Sequence, residues 1–138
     1  MMVKILITFI SGERFSLSEA PVGRVGVSVG VNIQEVRREK EKIEATFRFS
    51  VNYMPQIAQI VVKGKIIVKG EEKQLDKIWK KYEEKRKPPV ELINMVIGAS
   101  LAEAVIISKS LGVPPPIPPP IMTNINKALK KGEEEYRL

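Results

Sequence analysis

Residues 25–33 alternate strictly. Val25, Val27, Val29, Val31 and Ile33 are apolar, while Gly26, Ser28, Gly30 and Asn32 between them are small or polar. Successive side chains of an extended chain point to opposite sides, so a period of two predicts a strand with one apolar face. This strand reads as VGRVGVSVGVNIQEV, residues 22–36. The glycines on its second face leave room for another backbone to come close. Alternation returns after the charged turn RREKEK, with Ile43, Ala45, Phe47, Phe49, Val51 and Tyr53 on one face, and MPQ breaks it. A further strand spans QIAQIVVKGKIIVKG. Its even positions Ala58, Ile60, Val62, Ile66 and Val68 suit a core, and its odd positions mix Ile57, Val61 and Ile67 with lysines. The N-terminal VKILITFI is β-branched and aromatic, SGE after it reads as a turn or bulge, and RFSLSEA resumes the extended pattern up to Pro21. Four consecutive strands with short connections predict an antiparallel meander over residues 1–70.

At residue 71 the period changes. Leu75, Ile78, Trp79 and Tyr82 recur at helical spacing within EEKQLDKIWKKYEEKRK, which predicts an amphipathic helix. Acids at its start and bases at its end match the helix dipole. Pro88 and Pro89 stop it, and Pro89 suits the opening of a second helix. That helix, VELINMVIGASLAEAVIISKSLG, is apolar almost all round and predicts burial on most sides. Glu91, Asn94 and Glu103 argue against a membrane span. Together residues 71–111 form the helical half of one α+β domain that covers residues 1–138.

Gly112 ends the long helix, and GVPPPIPPPI then carries six of the ten prolines. Such a run favours stiff polyproline II. Residues 112–122 are therefore expected as an ordered strap against the domain. Thr123 or Asn124 suits the cap of a short C-terminal helix over 123–132, and residues 133–138 are expected to fray.

Composition narrows function more than it names it. The 138 residues contain no Cys and no His, which excludes disulfides, thiol nucleophiles and the usual zinc ligands. Heavy use of Glu, Lys, Ile and Val without Cys is a pattern of heat-adapted chains. The net charge of +7 admits a nucleic-acid or acidic-protein partner, although bases and acids are interspersed and aromatics are only 6%. MMVKILITFI is too short for a span and lacks a small-residue cleavage site, which predicts a soluble cytoplasmic protein.

No constellation of catalytic type is present, and neither an enzyme nor a cofactor is expected. Glu91 and Glu103 are twelve residues apart, about 18 Å by helical rise, too far for joint acid–base work. Glycines 23, 26 and 30 do not form a phosphate-binding loop. The surplus of apolar surface is more informative. Leu92, Val96, Gly98, Ala99, Ala102, Val105 and Ile106 form a candidate oligomer interface, because one small sheet cannot cover every side of their helix. Ile57, Val61, Ile67, Ile117, Ile121 and Met122 form a candidate groove for apolar segments of another polypeptide.

The order of these elements, with SEAP at residues 18–21 and the proline-rich stretch between two helices, resembles the SecB family of export chaperones over residues 5–131. The resemblance implies a homotetramer built as a dimer of dimers, with long helices packed between sheets. It implies ATP-independent holding of unfolded or nascent polypeptides in surface grooves. Two features depart from the family. SecB proteins are acidic where they meet the SecA motor and this chain is basic, and residues 71–87 form an additional regular helix.

Overall fold

The computed structural model describes residues 2–18 and 25–116. Four strands form one antiparallel sheet: β1 (Met2–Arg14), β2 (Gly26–Arg38), β3 (Lys42–Met54) and β4 (Ala58–Lys69). Two helices follow, α1 (Glu72–Lys85) and α2 (Val90–Leu111). The α+β class expected from the sequence is the class observed.

The strand order is β1-β4-β3-β2. Only β2, β3 and β4 form a meander. β1 lies at the far edge and pairs with β4, so the connection from β1 to β2 has the width of the sheet to cross. Alternation fixes which residues share a face; it carries no information about which strand lies beside which. The width to be crossed is three strand spacings, about 14 Å, within reach of that connection.

SGE is not a turn. Ser11, Gly12 and Glu13 pair with Val61, Ile60 and Gln59, and β1 runs through them. Its bulge lies one turn of pleat earlier, where Thr8 is the extra residue between the Ile7–Gly64 and Phe9–Lys63 pairs. A Cβ at Gly64 would collide with the Leu6 carbonyl and the Phe47 ring, so the missing side chain is what permits this pairing. A second bulge falls at Glu35 and Val36, where Glu35 has φ +53°. It returns Val36 to the same side as Ile33 and keeps the apolar face of β2 continuous.

That face carries the core. Ile43, Ala45, Phe49, Val51 and Tyr53 of β3 and Ala58, Ile60, Val62, Ile66 and Val68 of β4 are all buried, as the alternation predicts. α2 lies across β4, β1 and β3 on this side. By length and composition α2 could cross a membrane. Its stripe of Leu92, Val96, Ile97, Ser100, Leu101, Ala104 and Ser108 is instead buried within the chain. Gly12 lets the helix sit close, since a Cβ there would meet Ile107 and Leu111. α1 is anchored by Leu75, which is fully buried, while Ile78, Trp79 and Tyr82 are half-buried. Ion pairs Arg38–Asp76 (2.9 Å) and Lys81–Glu91 (3.4 Å) tie α1 to β2 and to α2.

The long helix ends as its glycine predicts. Gly112 has φ +68°, its N–H donates to Lys109, and the Val113 N–H donates to the Ser108 carbonyl at 3.0 Å. Val113 and Pro116 are buried, and the Tyr53 hydroxyl donates to the Pro114 carbonyl at 2.6 Å. The first part of the strap thus lies against the domain. Its later part with Ile117, Ile121 and Met122, the helix expected over 123–132 and the end 133–138 lie outside the described residues, as do Glu19, Ala20 and Pro21 of SEAP.

Candidate assembly and polypeptide-binding surfaces

α2 has two apolar sides with different fates. Leu92 and Val96 of the expected interface point to the sheet and are buried within the chain. Gly98, Ala102, Val105 and Ile106 lie on the opposite side, which is exposed, with Ala99 half-buried beside them. Ile106 is 64% exposed. A Cβ built at Gly98 meets nothing within 4 Å. Among the described residues this glycine therefore fits no neighbour, although a mid-helix glycine costs about 1 kcal/mol relative to alanine. Sequence reasoning grouped both sides into one interface because a near-uniformly apolar helix has no periodicity to say which stripe faces the sheet.

Two further apolar areas are exposed. On β1, Leu6, Phe9 and Ile10 are each nearly half exposed. This strand pairs only with β4 and leaves one edge open among the described residues. At the end of the sheet, Phe15, Leu17 and Met54 are exposed, Leu17 almost completely at 95%. The N–H groups of Phe15 and Ser16 both donate to the Ile57 carbonyl, at 2.8 and 3.2 Å. The segment after β1 is thereby fastened to the turn between β3 and β4.

Arg14 organises this end of the molecule. Its guanidinium donates from Nε to the Ser16 carbonyl and from Nη2 to the Ser18 carbonyl, each at 2.8 Å. Its Nη1 reaches the carbonyls of Leu111 and Gly112 at 2.8 and 3.2 Å. One cation thus joins the start of the crossover to the negative end of the α2 dipole. The sequence offered no sign of this, because Arg14 and Leu111 are 97 residues apart.

Of the expected polypeptide-binding residues, the three that are described, Ile57, Val61 and Ile67, do not share one surface. Ile57 is half-buried against the core near the Phe15 segment. Val61 and Ile67 face the other side of the sheet, away from α2. Val61 is only 7% exposed there, walled in by its neighbours. Ile57 precedes β4 and Ile67 lies near its far end, about 30 Å away at the rise of a strand. The sequence reading passed over Phe15, Leu17 and Met54. Their signal was large apolar residues in a stretch that ends a strand.

Glu44 and Glu91 are each held by nearby partners. Glu44 accepts from Lys42 at 2.7 Å and from Lys65 at 3.0 Å, and these contacts hold its carboxyl below the ordinary value of 4.5. Glu91 is held low first by its own backbone N–H at the start of α2 and then by Lys81. Glu103 is half-buried on α2, and neither it nor Glu91 faces the other across a site. Comparison of the chain with protein-family models and with curated proteins finds no match.

Proposed function

We propose that this chain is an ATP-independent holdase of SecB-like type that binds unfolded or nascent polypeptides in the cytoplasm as a homo-oligomer. The observation that supports it most is apolar surface that, among the described residues, has no partner in three places on a well-packed domain. These are the outer side of α2, the edge strand β1, and the Phe15–Leu17–Met54 end. A stable core already exists beneath them, so they are surplus to folding.

The surfaces divide by shape. The outer side of α2 is flat and lined by small residues around Gly98 and Ala102, which suits close packing of a second copy. The Phe15–Leu17–Met54 end is irregular and presents large flexible side chains, which suits varied apolar segments of a client. A tetramer would bring several such ends together, raising effective concentration for one extended chain. The basic charge sets this chain apart from the acidic SecB surface, so the SecA motor is not part of the proposal.

The test has two arms. Solution mass is expected to exceed that of the 15.5 kDa chain, and stoichiometric protein is expected to suppress aggregation of a diluted, denatured enzyme without ATP. A monomer that fails to suppress aggregation at several-fold excess would sink the proposal.

A further inference from the structure

The side of the sheet turned away from α2 has a different chemistry. Strand register places its residues in rows across all four strands. One row is Phe9, Lys63, Arg48 and Asn32, and the next is Leu6, Lys65, Thr46 and Gln34. Arg48 and Lys63 are directly paired on adjacent antiparallel strands. Like charges so placed destabilise a sheet. No acid relieves them among the described residues. The nearby carboxylate that bridges cations, Glu44, binds Lys42 and Lys65 instead. Lys63 rests 4.9 Å from the centroid of the exposed Phe9 ring.

Around the pair is a shallow recess of about 310 Å³ lined by Thr8, Asn32, Gln34, Thr46, Arg48 and Lys63. Beside it runs a low row of small side chains, Gly30, Ser50, Val61 and Ser11, crossing the sheet. The area therefore combines unneutralised cations, hydroxyl and amide groups, one accessible aromatic ring, and a trough at right angles to the strands. From this combination we infer that the outer sheet face binds single-stranded nucleic acid.

Each part has a role in that binding. Arg48 and Lys63 contact phosphates, and a bound phosphate relieves their mutual repulsion. Asn32 and Gln34 carry both donor and acceptor groups, which match base edges. Phe9 offers a face for a base once Lys63 moves to a phosphate. An acidic peptide would satisfy the cations but would leave the ring and the amides without a partner. Duplex would present its bases stacked inside and could not reach Phe9. With a single stacking ring the site is weak and sequence-tolerant, and its affinity is strongly salt-dependent. The inference does not rest on the holdase reading: the two share the exposed Phe9 of β1, but the cations that carry this one, Arg48 and Lys63, belong to no surface of that reading.

Fluorescence polarisation with a labelled single-stranded RNA tests it on the full chain. Binding is expected at about 50 mM salt and is expected to fall steeply by about 200 mM. The double variant R48Q/K63Q should bind about ten-fold or more weakly, and its log–log salt slope should drop by about 1.4, roughly 0.7 for each lost phosphate contact. Its melting temperature should not fall, since a repulsive pair has been removed. The variant K81Q/K109Q removes the same charge from the helical side and should bind like the parent. Absence of RNA binding at low salt overturns the inference. So does equal loss in both double variants, which would mean diffuse charge, and so does preferential binding of polyglutamate over RNA, which would mean an acidic protein partner.

Discussion

Ser100 shows how one atom can work against its surroundings. Its hydroxyl is fully buried beneath α2 and has no hydrogen-bond partner among the described residues. A buried hydroxyl without a partner costs about 1–3 kcal/mol, and alanine is also the better helix former. Ser100→Ala is therefore expected to raise stability by about 1 kcal/mol, read from the midpoint of chemical unfolding. A loss instead would mean that the hydroxyl is satisfied in solution. Glu44 illustrates the opposite case, a polar group with more partners than it needs. Lys42 and Lys65 lower its pKa, so its contribution to stability is full above the ordinary value of 4.5 and is lost as pH falls through the lowered folded value. Lys42 is shifted upward chiefly by its bond to Glu44, so its share persists at neutral pH and fades only above 10.5. The stability difference between the parent and Glu44→Gln should be constant at neutral pH and shrink in acid. Melts across pH check this, and a difference that stays constant into acid would contradict it.

At the scale of elements, the ends of α2 decide how the chain is held. The helix stops because Gly112 takes a left-handed conformation and Val113 closes the last turn. Arg14 then binds its final carbonyls, and Tyr53 catches Pro114. The strap begins as a consequence of this closure, with stiff residues starting from a fixed point. Tyr53→Phe removes the bond to Pro114 while keeping the ring that fills the core. The expected loss is about 1 kcal/mol. Hydrogen exchange is expected to rise at Gly112 and Val113 more than in β3. Unchanged protection there would show that the strap holds itself in place without Tyr53. Element existence was largely legible beforehand: all four strands and both helices overlap the residues that marked them, although β1 runs through SGE and β2 and β3 take Arg37, Arg38 and Lys42 from the expected charged turn. The bulge at Thr8 was not, because it depends on Gly64 lying opposite, and the two are joined only through β1–β4 pairing.

For the whole molecule, the unequal sides of α2 carry the assembly proposal. Val105 and Ile106 lie outside the core formed by the described residues, so charging them should leave the fold nearly intact, within about 0.5 kcal/mol. Val105→Glu/Ile106→Glu is expected to lower the solution mass to that of a single chain, measured by light scattering, with unchanged circular dichroism. A mass unaffected by the substitutions would locate assembly elsewhere, for instance at the open edge of β1. Leu17→Ser, in turn, should leave mass unchanged and weaken suppression of aggregation.

What the sequence alone determined is periodicity and stopping points. Val25 to Ile33, Ile43 to Tyr53 and Ala58 to Val68 declare one apolar face each, since side-chain direction in a strand is set by local geometry. Gly112 and the paired prolines 88 and 89 declare helix limits by what their own backbones allow. The tertiary structure decided everything that depends on partners distant in the chain. It placed β1 beside β4, turned Leu92 and Val96 inward and Val105 and Ile106 outward, and put Arg14 on the end of α2. It also set Arg48 against Lys63. Each of these is a pairing between residues whose local preferences are equally well met by several arrangements. Only the joint packing of sheet and helix selects one.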